Sequence, residues 1–203
     1  MQRRDLGKTG VEVPAVGLGT WQVLDVRGRE EVARHEVVRA ALEVGANLFD
    51  SSPMYGEAER VLGDALEKHG RDRAIVATKV WTSNDGEAER QVQRSLTYFG
   101  GRVELYQVHN LVALERRLDT LHHLKDEGKV RCVGATHYSR AAFGDLMSVM
   151  RGGRVDFVQV PLQRRRNVRN AGASAARART RARCDRSIAP ITQTHLDCPS
   201  AWC

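Results

Sequence analysis

Five short runs rich in β-branched residues recur along the chain: Asn47-Leu-Phe-Asp-Ser, Ala74-Ile-Val-Ala-Thr-Lys-Val, Val103-Glu-Leu-Tyr-Gln-Val-His, Val130-Arg-Cys-Val-Gly-Ala-Thr and Val155-Asp-Phe-Val-Gln-Val. Their first residues lie 27, 29, 27 and 25 positions apart. A further run, Val16–Trp21, precedes them and completes six. Between the runs, apolar residues return at helical spacing. Residues 30–44 place Ala33, Val37, Val38, Ala41 and Leu42 on one face, and residues 57–68 do so with Val61, Leu62, Ala65 and Leu66. Residues 86–98 use Ala88, Val92, Ser95, Leu96 and then Phe99, behind the capping run Ser83-Asn84-Asp85. Residues 112–127 offer Leu114, Leu118, Leu121 and Leu124; residues 140–150 offer Phe143, Leu146, Met147 and Met150 behind Ser139. Gly45 and Gly128 stand where helix-closing glycines belong.

Strand and helix alternating at this spacing is the βαβ unit, which builds parallel sheet. The strands are apolar on both faces, as strands covered by helices must be. An open doubly wound sheet and a closed barrel both fit that pattern. A dinucleotide-binding open sheet wants G-x-G-x-x-G after its first strand, and Gly17-Leu-Gly19-Thr-Trp breaks at the third glycine. The pattern therefore predicts an α/β protein of the (β/α)8 TIM-barrel type, incomplete, with about six strands.

Composition changes this picture at one place. The last 40 of the 203 residues hold nine Arg and no Lys against Asp185 and Asp197, so they carry the whole formal excess of +7. Three of the four cysteines (Cys184, Cys198, Cys203) and only Gly172 of the 18 glycines also fall there. Two units are predicted: a partial barrel over 1–163 and a basic, low-complexity tail over 164–203. No apolar stretch is long enough to span a bilayer, and the polar start lacks the apolar core of a secretory signal. Cysteines without a framework suit a reducing cytoplasm.

The candidate chemistry lies at strand ends, where barrels of this kind hold their active sites. Asp50 ends one run, Lys79 stands near the end of the next, and His109 closes a third; Tyr55 follows in Asp50-Ser-Ser-Pro-Met-Tyr-Gly. A Lys in an apolar strand needs a partner, and Asp50 on the neighbouring strand can supply one. Tyr55 beside the Lys79 charge is expected to have its pKa lowered from about 10 toward neutrality. Such a phenol can protonate a developing alkoxide while an imidazole holds the substrate oxygen. Singly, each residue has a plainer reading: a structural ion pair, a loop tyrosine, a hydrogen-bonded core histidine. Cys132 reads as core, and His122 and His123 as solvated residues of a polar helix.

At these residues the sequence resembles the aldo-keto reductase superfamily over about residues 2–161. The resemblance rests on Arg4-Asp-Leu-Gly-Lys-Thr-Gly10 with Gly17-Leu-Gly-Thr-Trp21, Phe49-Asp-Ser-Ser-Pro-Met-Tyr-Gly56, Ala77-Thr-Lys79, Gln107-Val-His109, Gly134-Ala-Thr-His137 and Val158-Gln-Val160. It implies NADPH-dependent reduction of a small aldehyde or ketone, with NADH as the alternative hydride source. Tyr55 is then the general acid, Lys79 its charged neighbour, Asp50 the partner of Lys79, and His109 the orienter of the carbonyl. It further implies cofactor contacts at Gly19, Thr20, Trp21, Thr136, His137 and Gln159, and pocket walls at Met54 and Trp81. Thr136-His137 departs from the Ser-Asn that many members carry. No metal site is expected.

After Gln163 the repeat stops. No seventh or eighth unit is legible, and the resemblance implies that those units hold the nicotinamide's stacking aromatic and the adenosine 2′-phosphate. Half a cofactor site is therefore expected, and with it weak NADPH binding. The joint end of charge balance, periodicity and resemblance suggests a frame shift in a GC-rich gene, or truncation. The rival reading is a non-catalytic fragment or basic adaptor, whose disordered Arg-rich tail makes unspecific, salt-sensitive contacts with nucleic acid or other polyanions.

Overall fold

The computed structural model describes residues 1–161 and 190–193, the latter by backbone alone. The predicted polyanion contacts of the Arg-rich tail lie outside the described residues, and so does its predicted disorder except at 190–193, where the backbone instead forms a strand.

An antiparallel hairpin opens the chain, β1 (Arg3–Asp5) and β2 (Glu12–Pro14), with Arg3 opposite Pro14. Strand and helix then alternate: β3 (Leu18–Gly19), α1 (Glu30–Glu43), β4 (Leu48–Asp50), α2 (Ala58–His69), β5 (Ile75–Val80), α3 (Asp85–Tyr98), β6 (Val103–His109), α4 (Leu114–Asp126), β7 (Val130–Thr136), α5 (Phe143–Arg151) and β8 (Phe157–Pro161). A short strand β9 (Pro190–Gln193) pairs beside β8, an element that the sequence pattern does not announce.

Every pair in the sheet is parallel, and its spatial order β3 to β9 follows the chain. A doubly wound sheet reverses direction at a switch point. Strict succession instead curls the sheet into a barrel wall, here six parallel strands of a TIM-type barrel with β9 alongside. The period-2 alternation of each strand then sorts side chains between two cores. Phe49, Val76, Val80, Tyr106, Val108, Val133 and Val158 pack outward against the helices. Leu48, Ile75, Ala77, Leu105, Cys132 and Phe157 point inward, where Leu6 and Val11 of the hairpin close the floor. Cys132 is a core residue, 1% exposed.

The helices form where capping and periodicity place them. Asn84 caps α3, its side-chain oxygen accepting the Glu87 N–H at 2.9 Å. Gly45 and Gly128 take left-handed φ values of +79° and +74°. The predicted apolar faces hold for α2 and α3, whose predicted residues are all buried. They hold only in part for the outermost helices of the row. In α1 only Val38 and Leu42 are buried, while Ala33 and Val37 are exposed. In α5 only Leu146 is buried, while Phe143 and Met147 face solvent. An outermost helix has a neighbour on one side alone among the described residues, so part of its apolar stripe has nothing to cover it. His122 also differs from expectation: its Nε2 lies 2.8 Å from the Arg154 carbonyl oxygen. His123 is exposed, 3.1 Å from Glu127.

Candidate active site

Alternation along β4 sends Phe49 outward and Asp50 into the barrel, at the C-terminal end of the strand. In β5 the same alternation aims Lys79 inward, although the rest of the strand is apolar except for Thr78. Lys79 is 2% exposed. Its Nζ donates to Asp50 Oδ1 at 2.9 Å, to Asp50 Oδ2 at 3.0 Å and to the Ser51 carbonyl at 2.7 Å. Burial pushes the Lys79 pKa down, and the Asp50 carboxylate and the Tyr55 phenol outweigh that, leaving it above its ordinary value. The ammonium is therefore a fixed positive charge under the mouth of the barrel.

Tyr55 is carried over this charge by the loop between β4 and α2. Its N–H donates to the Ser52 carbonyl at 3.0 Å, and its own carbonyl accepts the Ala58 N–H at 3.0 Å. Gly56 follows with φ +57°, a conformation that L side chains rarely adopt, and a Cβ there would meet Asp25 Oδ1 at 2.1 Å. That same Asp25 oxygen accepts the Glu57 N–H at 2.9 Å, just before the start of α2. The tyrosine ring lies with its centroid 5.1 Å from Lys79 Nζ and 6.4 Å from the Trp21 ring.

The lowered phenol pKa expected from the sequence is contradicted: the Tyr55 pKa stands above its ordinary value. Burial raises it, Lys79 pulls it down, and Asp50 pushes it back up. The physical reason is that burial strips the phenolate of its hydration, and the Lys79 charge, itself partly offset by Asp50, does not make up for that loss.

His109 ends β6, in register with Thr136 of β7. Burial, and then the charges of Lys79 and His137, hold its pKa down at about 3, so the imidazole is neutral at physiological pH. Its Nδ1 is buried and has no hydrogen-bond partner among the described residues. Tyr55, Lys79 and His109 share one cleft of about 50 Å³ with Thr136, His137, Tyr138, Gln159, Val160 and Pro161. Two larger clefts, one between α3 and α4 and one at the opposite end of the sheet, contain none of the four candidate catalytic residues.

Of the remaining predicted residues, Thr136, His137 and Gln159 line this cleft. Gly19 pairs in register with Asp50, and the Thr20 hydroxyl donates to Ser51 Oγ at 2.9 Å. The Gln159 amide donates to Asp50 Oδ2 at 3.4 Å. His137 Nδ1 accepts the Ser139 N–H at 3.0 Å, which leaves its ring proton on Nε2. Its ring stacks on Tyr138 at 5.2 Å. Met54 and Trp81 are 42% and 40% exposed and do not line the cleft. Tyr138 and Ser51 were missed by sequence reasoning, although each directly follows a residue that it singled out. Among the described residues no group of three His, Cys, Asp or Glu side chains is placed to hold a metal ion, and no helix is long and apolar enough to cross a membrane.

A model of the aldo/keto reductase family matches residues 15–169. The aldo-keto reductase YhdN of Bacillus subtilis (strain 168) is 33% identical over 161 residues, covering 68% of this chain and 48% of that protein. The chain thus spans about half the length of this curated relative. A solved structure from Pseudomonas aeruginosa, assigned to the aldo-keto reductases, superposes with a TM-score of 0.63 at 28% identity, over 79% of this chain and 67% of that one. An aldo/keto reductase from Brucella melitensis gives 0.61 at 26% identity, over 79% and 63%.

Proposed function

Because the chain belongs to the aldo/keto reductase family, we propose that it reduces a small aldehyde or ketone to the alcohol, with Tyr55 as proton donor and NADPH as hydride source. The observation that carries this reading is the convergence of a charged Lys79, a protonated phenol and a neutral imidazole on one cleft at the C-terminal strand ends.

The cleft has groups suited to a nicotinamide carboxamide: the Thr136 hydroxyl, the Nε2–H of His137 and the Gln159 amide offer both donors and acceptors beside the quartet. Gly19 at the end of β3, with Thr20 and Trp21 directly after it, would border the nicotinamide. When bound, the dihydronicotinamide supplies a hydride to the carbonyl carbon. His109, neutral and at the cleft wall, orients the carbonyl oxygen. As the C=O bond opens to an alkoxide, the Tyr55 O–H bond breaks and its proton goes to that oxygen, giving the alcohol. The raised phenol pKa keeps that proton in place at neutral pH until an alkoxide, a far stronger base, accepts it. The Lys79 ammonium, close to the ring, then stabilises the phenolate that remains until solvent reprotonates it. Asp50 holds Lys79 charged and in position.

The same proposal takes residues 1–163 as the reductase unit and 164–203 as a basic C-terminal segment that returns β9 to its sheet, in a cytoplasmic protein. Its test is NADPH oxidation with 4-nitrobenzaldehyde by the full chain. Tyr55→Phe should lower kcat by at least about 10²-fold with unchanged circular dichroism. Wild-type turnover in that variant, or none in the wild-type chain, overturns the reading.

A further inference from the structure

Glu59 is 3% exposed, yet the mechanism above gives it no part. It sits in the first turn of α2, four residues beyond Tyr55, among Val61, Leu62, Ala65 and Leu66, all fully buried. Its Oε1 accepts two hydroxyl hydrogen bonds, from Thr78 at 2.5 Å and from Ser95 at 2.9 Å. Thr78 is the outward-facing residue of β5 immediately before Lys79, and Ser95 belongs to α3. Thr78 pairs in register with Tyr106 of β6, three residues before His109, and Tyr106 is also fully buried. One carboxylate oxygen thus joins the helix that begins behind Tyr55, the strand that carries Lys79, and the helix packed beside them.

A leucine at this position would bury more apolar surface and avoid the desolvation of a carboxylate. Apolar contacts are non-directional, however, and allow a helix to slide or turn on a sheet. Two hydrogen bonds to one oxygen do not. They fix the start of α2 against β5, and the Ala58 N–H bond to the Tyr55 carbonyl transmits that register to the loop. Burial raises the Glu59 pKa, while the two hydroxyl bonds favour the ionised form. The node is therefore directional and closed to solvent.

From this geometry we propose that Glu59 is a positioning residue that sets Tyr55 over Lys79 by tying α2 to β5 through Thr78. The proposal rests on the reading of Tyr55 as the proton donor, and its test separates the two. In the full-length chain, ultraviolet titration compared with Tyr55→Phe identifies the Tyr55 phenol without any need for turnover. In Glu59→Leu that titration should move down toward an ordinary tyrosine, because a displaced ring loses the burial that now raises it. With NADPH and 4-nitrobenzaldehyde, kcat should fall by about 10²-fold while the aldehyde KM stays within about twofold. Glu59→Gln, which keeps an acceptor oxygen and the side-chain shape, should recover most of both effects. Thr78→Val and Ser95→Ala each remove one donor and should give the same shifts in smaller size; they decide the matter if Glu59→Leu does not fold. A folded Glu59→Leu, or in its place folded Thr78→Val and Ser95→Ala, with unchanged Tyr55 titration overturns the positioning role. Wild-type turnover in Tyr55→Phe overturns the proton-donor reading instead.

Discussion

His109 shows what burial does to a single side chain. Unfolded, it takes up a proton as the pH falls through about 6.5; folded, it stays neutral down to about 3. Between those values the unfolded chain binds more protons, so stability rises with pH across the window and is lost as pH falls. The contribution of His109 should amount to roughly 1–2 kcal/mol between pH 5 and pH 7. Urea denaturation at those two pH values should show the wild-type chain losing that much more stability on acidification than His109→Asn. An equal loss in both proteins would mean that the imidazole protonates in the folded state. The meeting of Asp50, Tyr55, Lys79 and His109 at one end of the sheet was legible because they sit in order at the ends of successive strand runs or just beyond. The raised pKa of Tyr55 was not, since it depends first on how deeply the fold buries the ring and then on its distances from Lys79 and Asp50, and neither can be read from spacing.

Among the elements, the turn from Tyr55 into α2 leaves no room for a side chain at Gly56. Gly56→Ala would place a methyl group on the Asp25 carboxylate and strain a φ of +57°. The carboxylate would have to leave the Glu57 N–H, and that end of the helix would lose its acceptor. The expected cost exceeds about 1 kcal/mol, readable as a lower melting temperature, with turnover in the proposed carbonyl reduction falling further than stability alone explains. The strands themselves were legible: Val103–His109 and Val130–Thr136 match the expected runs end to end. The outermost helices were not, because periodicity reports which residues are apolar and says nothing of which neighbours stand opposite. Glu59 was invisible for a related reason. A lone acid on an amphipathic helix reads as solvated, and only the approach of Thr78 and Ser95 shows that it is enclosed.

For the molecule as a whole, two cores share one sheet, and the inner one depends on the hairpin. Leu6 is 1% exposed and Val11 is 3% exposed, packed with residues from β4 to β8. The Arg131 side chain adds a bond to the Gly10 carbonyl at 2.7 Å. Leu6→Ala should cost about 2–5 kcal/mol, measured by chemical denaturation, and a cost near zero would mean that the floor of the barrel closes without it. This arrangement also has a consequence in time. A ribosome releases Leu6 and Val11 first, while their partners Leu105, Cys132 and Phe157 come later, the last of them about 150 residues behind Leu6. At the usual pace of translation that interval is roughly 10–30 s. Throughout it the hairpin has no finished seat, and its two apolar side chains are available to chaperones. The floor of the barrel is finished only when its wall is nearly complete, so the hairpin, made before that wall, is among the last parts of the inner core to find its place.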